Sequence, residues 1–193
     1  MSKLNIKLIS LTLLFGLLIN STFSQTKTEI LCYDIDEFDD SKLLSGGTSI
    51  MYTDGGDLRT EGLLFSNLID EKNDKITKLN IVVYVYDKSI RCTDEGNTLD
   101  ILFEDGSKTQ LINWKKFNCD GVNYFNISES QTNDLKTKRI KGVRYTDKRD
   151  YNTITTKENL SEENKTFYMN VLKEIDNVNN GTSTISICKK EEK

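Results

Sequence analysis

Two covalent links are the strongest constraint that this sequence places on its own fold. Its four cysteines, Cys32, Cys92, Cys119 and Cys188, follow a segment laid out as an export leader. Outside the reducing cytoplasm an even number of thiols is expected to oxidise in pairs. Lys3 and Lys7 make a positive start, Leu8 to Ile19 an apolar run of 12 residues, and Asn20 to Ser24 a polar exit carrying the small residues Thr22 and Ser24. That pattern predicts a signal peptide over 1–24, cut ahead of Gln25. As a helix the apolar run spans about 18 Å, short of the roughly 30 Å hydrocarbon core. A retained anchor is therefore the poorer reading, and no transmembrane segment is expected after cleavage. Leu31 precedes Cys32 where a lipid-anchored cysteine would want a small residue. The expected destination is secreted or periplasmic.

Four cysteines allow three pairings, and a local argument selects one. Thr98–Phe103 and Lys108–Trp114 read as strands flanking Glu104-Asp105-Gly106-Ser107, where Asp-Gly is a strong hairpin signal. Cys92 lies 14 residues before Gly106 and Cys119 lies 13 after it, so the two face each other at the open end of the hairpin. One bulge residue absorbs the mismatch. Cys92–Cys119 is thus the expected first disulfide, and Cys32–Cys188 follows by default near the two ends of the mature chain. The alternative, zinc, would need all four thiolates from distant positions, because the chain has no CxxC spacing and no histidine.

The rest of the mature chain reads mainly as strand. Thr28–Asp36 alternates, Thr48–Thr53 and Leu58–Leu68 are candidates, and Gly46-Gly47 and Asp54-Gly55-Gly56-Asp57 read as turns. Ile76–Tyr86 is the strongest strand signal and is apolar on both faces: Ile81, Val83 and Val85 on one, Val82, Tyr84 and Tyr86 on the other. Such a strand belongs at the centre of a sheet or beneath a second layer. Val122–Ile127, Arg139–Thr146, Tyr151–Thr156 and Thr182–Cys188 complete the set. Ser128-Glu-Ser-Gln131 has the capping-box pattern of a short helix through Leu135. Ser161 opens a longer amphipathic helix over about 162–178, with Phe167, Val171, Ile175 and Val178 in one stripe. Strands first and a helix late, without βαβ alternation, predict an α+β fold, mainly β. One domain over 25–193 is expected, an antiparallel sheet or sandwich with the C-terminal helix packed on it.

The string Leu102-Phe103-Glu104-Asp105-Gly106-Ser107-Lys108, the later run Asn133–Tyr145 and the closing amphipathic helix resemble the core of small, uncharacterised secreted β-rich proteins common in Bacteroidota. The resemblance covers about residues 76–178, with a basic residue where this chain has Arg144. It implies fold and export, and brings no activity with it.

The absence of histidine excludes Ser-His-Asp and Cys-His catalysis and imidazole-bound metals, leaving carboxylates, Lys and Tyr for proton transfer. Nothing in the sequence calls for a cofactor. Cleavage would leave 24 basic against 30 acidic residues, an acidic balance that disfavours nucleic acid. Asp34, Asp36, Glu37, Asp39 and Asp40 form the densest acid cluster and a candidate calcium site. Counted from Asp34, however, the fifth, sixth and twelfth places of an EF-hand loop hold Phe38, Asp39 and Ser45, so a solvated strand end is the simpler reading. Asp100 and Glu104 share a strand face and are a nominal carboxylate pair for glycoside hydrolysis, although pairs are unavoidable among thirty acids. The aromatic set Tyr84, Tyr86, Trp114 and Tyr124 is the main candidate for ligand binding. Exposed, these rings form a stacking platform for sugar or peptide; buried, they are core under the C-terminal helix, the commoner fate of large rings.

These readings point to an exported, non-enzymatic module that binds a protein or glycan, or that belongs to the envelope. A carboxylate-only hydrolase and a secreted inhibitor or immunity-type protein are the alternatives.

Overall fold

The computed structural model describes residues 30–35, 42–53, 61–73, 75–87, 90, 92–156 and 160–188. The expected leader, Asp36–Asp40 and the 54–57 turn lie outside them. Ten strands and two helices follow in order: β1 Cys32–Ile35, β2 Lys42–Thr53, β3 Glu61–Lys72, β4 Lys75–Asp87, β5 Thr98–Phe103, β6 Lys108–Ile112, β7 Val122–Asn126, α1 Glu129–Thr137, β8 Ile140–Thr146, β9 Thr153–Thr155, α2 Glu162–Asn179 and β10 Ser186–Ile187. The strands form a six-stranded sheet, β10-β1-β2-β3-β4-β7, and a four-stranded sheet, β6-β5-β8-β9. Every pairing is antiparallel except β10 on β1. The fold is therefore α+β and mainly β.

Local signals set the helix starts. Ser128 and Gln131 make the reciprocal capping box of α1, and the Ser161 hydroxyl accepts from the Asn164 amide at the head of α2. Packing then fixes where α2 lies. Tyr168, Val171, Leu172 and Ile175 are buried on its inner stripe, and the Tyr168 ring meets Phe65 of β3 at 6.2 Å. The same inner layer holds Leu63, Ile81 and Val83 from the large sheet and Leu99, Ile101, Phe103 and Tyr145 from the small one. Two polar clamps add direction. The Ser49 hydroxyl donates to Asn164 Oδ1 at 2.7 Å near the start of the helix. At its end Asn179 reads the backbone of Ile76 twice, accepting from N–H at 2.8 Å and donating to C=O at 3.0 Å.

Both disulfides join the expected partners, Cys32 with Cys188 and Cys92 with Cys119. The hairpin sets the two cysteines opposite each other as expected, with a one-residue offset between its arms. Thr98 pairs Ile112 within the sheet, and Thr93 pairs Asn118 beyond it, five positions away on one side and six on the other. The extra residue falls on the Cys119 arm, whereas counting from Gly106 puts it on the Cys92 arm, because the ladder is centred one residue earlier, on Asp105.

Two expectations need correction. The second hairpin strand stops at Ile112, not Trp114: the Asn113 backbone still bonds Asn97 and Gly96, but the Trp114 amide turns to the Tyr124 carbonyl, and the Asn113 side chain fixes the change of partner. Its Nδ2 donates to the Asp94 carbonyl at 2.7 Å, and its Oδ1 accepts from the Tyr124 amide at 2.8 Å. Asn113 then bridges to Phe125, so β6 hands over to β7 and the two sheets meet at a corner. Gly46-Gly47 is not a turn between elements; it lies within β2, where the register shifts between Ser45 and Thr48. Gly47 sits at φ +71°, and a Cβ on Gly46 would fall 2.7 Å from the Asn67 Cβ, so the bulge is built for glycine.

Candidate functional site

Which side of the large sheet α2 covers decides the status of the aromatic set. Ile81, Val83 and Val85 face the helix, so Val82, Tyr84 and Tyr86 point the opposite way. On the adjoining strand Tyr124 stands across from Val82, and Val122 across from Tyr84, which puts Tyr124 diagonally beside Tyr84. Trp114 joins this face at the corner. Its N–H donates to the Tyr124 carbonyl at 3.1 Å, and its ring lies 5.8 Å from the Tyr124 ring at an interplanar angle of 56°. The Lys115 ammonium sits 4.3 Å from the centroid of the Tyr124 ring. Trp114 is 50% exposed and Tyr86 37%, while Tyr84 and Tyr124 are half-buried. The reading of these rings as core beneath the C-terminal helix is thus overturned: they occupy the outer face, and the helix is on the other side.

A buried polar cluster backs this corner. Asn97 Nδ2 donates to the Tyr145 hydroxyl at 2.7 Å, and that hydroxyl donates to Asn123 Oδ1 at 3.3 Å. Asn97 Oδ1 accepts from the Lys148 amide at 3.0 Å. Burial pushes the Tyr145 phenol well above its ordinary range, so it stays protonated and serves as a structural donor. Asn123 lies on β7 next to Tyr124, and the network therefore holds the strand that carries the platform. With the Cys92–Cys119 link beside it, this is a rigid mount for aromatic rings.

Sequence reasoning missed two neighbours in the chain, Ile112 at 59% exposure and Phe117 at 56%. The signal was present for the first. Ile112 and Trp114 alternate outward about the buried Asn113, and only the polar Asn at the inward place disguised the period.

The remaining candidates are dispersed. Asp34 is exposed on β1, and Asp36 and Glu37 lie outside the described residues. Among the described residues no group of three or more acidic or cysteine side chains is placed to share a metal ion. Asp100 and Glu104 are each committed elsewhere. Asp100 takes Nε and Nη2 of Arg144 at 2.9 and 2.6 Å. Glu104, in the turn after β5, bonds Arg139 at 2.9 Å and Lys165 at 3.3 Å. The Arg139 guanidinium holds the Glu104 carboxyl below its usual range, opposite to what a general acid requires. Among the described residues the corner offers π faces, phenolic hydroxyls and the Lys115 ammonium, a chemistry of stacking and hydrogen bonding.

No family model, curated protein or solved structure matches this chain.

Proposed function

We propose that the protein is an exported, non-enzymatic binding module that takes a glycan chain on the outer aromatic face of its large sheet. The observation that carries this reading is the half-exposed Trp114, propped on Tyr124 at 5.8 Å with Lys115 against the same ring. Large rings held at fixed angles on a sheet lose little side-chain freedom when a sugar stacks on them, and a row of phenols supplies hydroxyl partners. Tyr84 and Tyr86 extend the face along β4, which suits a ligand longer than one ring. The leader-like start and two disulfides support a life outside the cytoplasm. Carboxylate-only hydrolysis is the weaker reading, because the nominal pair Asp100 and Glu104 is tied to separate cations.

A glycan array probed with the wild-type protein and with Trp114→Ala tests it. Loss of array binding with the melting temperature unchanged within about 2 °C is the expected result for a half-exposed ring. Unchanged binding by Trp114→Ala, accompanied by a lowered melting temperature, would show that the ring serves packing alone.

A further inference from the structure

The outer face of the small sheet carries a different chemistry from the aromatic corner. Gln110 stands across from Asp100, Asp100 across from Arg144, and Arg144 across from Thr155, one polar row over all four strands. In the next row Lys108 stands across from Leu102, and Leu102 across from Gly142. These rows line a groove of about 670 Å³, flanked by Lys141 and Thr156. The absent side chain at position 142 makes room for Thr156, whose Oγ1 accepts from the Val143 amide and would lie 2.9 Å from a Cβ at Gly142, and the half-buried Leu102 supplies an apolar floor.

Among the described residues that line this groove, three are cations, Lys108, Lys141 and Arg144, and one is an acid, Asp100. That acid is already engaged: Oδ2 takes Nε and Nη2 of Arg144, and Oδ1 accepts from Gln110 Nε2 at 2.8 Å. Its effect is to hold the guanidinium at a set angle with Nη1 left over. The Lys108 and Lys141 ammoniums make no hydrogen bond or ion pair with any described residue. In a chain whose net charge is −4, unpaired cations gathered on one hollow focus a positive potential where the rest of the surface tends negative.

We propose that this groove binds a small organic acid. Its carboxylate is received by Arg144 Nη1 and the Lys108 and Lys141 ammoniums, and its carbon body lies on Leu102. The volume falls within the range of small-molecule sites, and a planar guanidinium fixed by a neighbouring carboxylate is suited to a second, incoming one. The site shares no residue with the aromatic face, so the two stand or fall separately.

The test is amide-shift NMR on the full folded protein, titrated with citrate, glucuronate and digalacturonate. Inorganic phosphate and the neutral disaccharide cellobiose serve as controls. Saturable shifts at Leu102, Gly142 and Arg144 with at least one of the organic acids, and none with cellobiose, are expected. The double variant Lys108→Ala/Lys141→Ala removes two exposed, unpaired heads, so its fold is retained and its affinity drops by about ten-fold or more, as for loss of a charge-assisted bond. The proposal is overturned if no acid saturates these amides, if the double variant binds as the wild type does, or if phosphate matches the organic acids in affinity, which would reduce the site to general counter-ion attraction.

Discussion

Tyr168 and Tyr145 are both fully buried phenols, and the structure predicts opposite outcomes for the same substitution at each. The Tyr168 ring packs against Phe65 and Phe167, and its buried hydroxyl has no hydrogen-bond partner. Burying a hydroxyl unpaired costs about 1–3 kcal/mol by mutational measures, and deleting one oxygen leaves only a small gap. Tyr168→Phe should therefore stabilise the fold by about 1 kcal/mol. The Tyr145 hydroxyl instead accepts from Asn97 at 2.7 Å and donates to Asn123 at 3.3 Å. Its removal loses a net hydrogen bond and leaves Asn97 Nδ2 with only the longer bond to Asn123 at 3.3 Å. The combined loss is about 2 kcal/mol. For a domain of this size each kcal/mol moves the melting temperature by about 2–4 °C, so the variants should separate by about 6–12 °C. Urea unfolding followed by circular dichroism gives the free energies directly. A Tyr168→Phe protein less stable than the wild type by more than about 0.5 kcal/mol would refute the reasoning, since it would show the hydroxyl to be satisfied.

The same two phenols predict a pH dependence. Burial raises both above the ordinary tyrosine value, whereas in the unfolded chain they titrate near 10. Below pH of about 10 both states hold the proton and nothing is lost; above it the unfolded state ionises first, so stability falls by about 1.4 kcal/mol per pH unit for each phenol. A melting temperature flat between about pH 10 and 11.5 would contradict this, and Tyr168→Phe should show about half the slope. The disulfides differ in loop length, with sequence separations of 156 for Cys32–Cys188 and 27 for Cys92–Cys119. Chain entropy then assigns about 5 and about 3.5 kcal/mol to them. Paired Cys→Ser variants compared in urea should preserve that order, and a larger loss at 92–119 would refute the loop-length account. Gly121 sits at φ +69°, and a Cβ there would lie 2.8 Å from the Val85 carbonyl oxygen, whereas Gly106 at φ +84° has open space around it. Gly121→Ala should cost about 2 kcal/mol or more and Gly106→Ala only about 1, so equal losses would show that the close approach of β4 and β7 carries no energy.

Features that depend on a few adjacent residues were readable in advance. Ser128, Gln131 and Ser161 start their helices because capping needs only a side chain and an amide two or three residues on. The Asp105-Gly106 hairpin likewise set the opposition of Cys92 and Cys119, and the remaining pair followed by exclusion. The parallel docking of β10 on β1 was not readable, since a two-residue strand has no period of its own. Nor was the corner at Asn113, whose bonds to Asp94 and Tyr124 join segments with no local signature.

The aromatic face divides the two kinds of information most clearly. The sequence by itself determined that Ile76–Tyr86 is a strand with apolar residues on both sides, and that Tyr84 and Tyr86 share one of them. It did not determine which side the helix takes, because period-two alternation assigns residues to faces but does not rank two faces of similar polarity. Packing decided that. Once Tyr168 settles on Phe65 and Asn179 clamps Ile76, the odd-numbered face of β4 is covered. The tyrosines are left outside, where register with β7 and the turn at Asn113 bring Tyr124 and Trp114 alongside them. The cationic groove has the same origin: Lys108, Lys141 and Arg144 are far apart in the chain, and only the cross-strand register of the small sheet gathers them around Gly142.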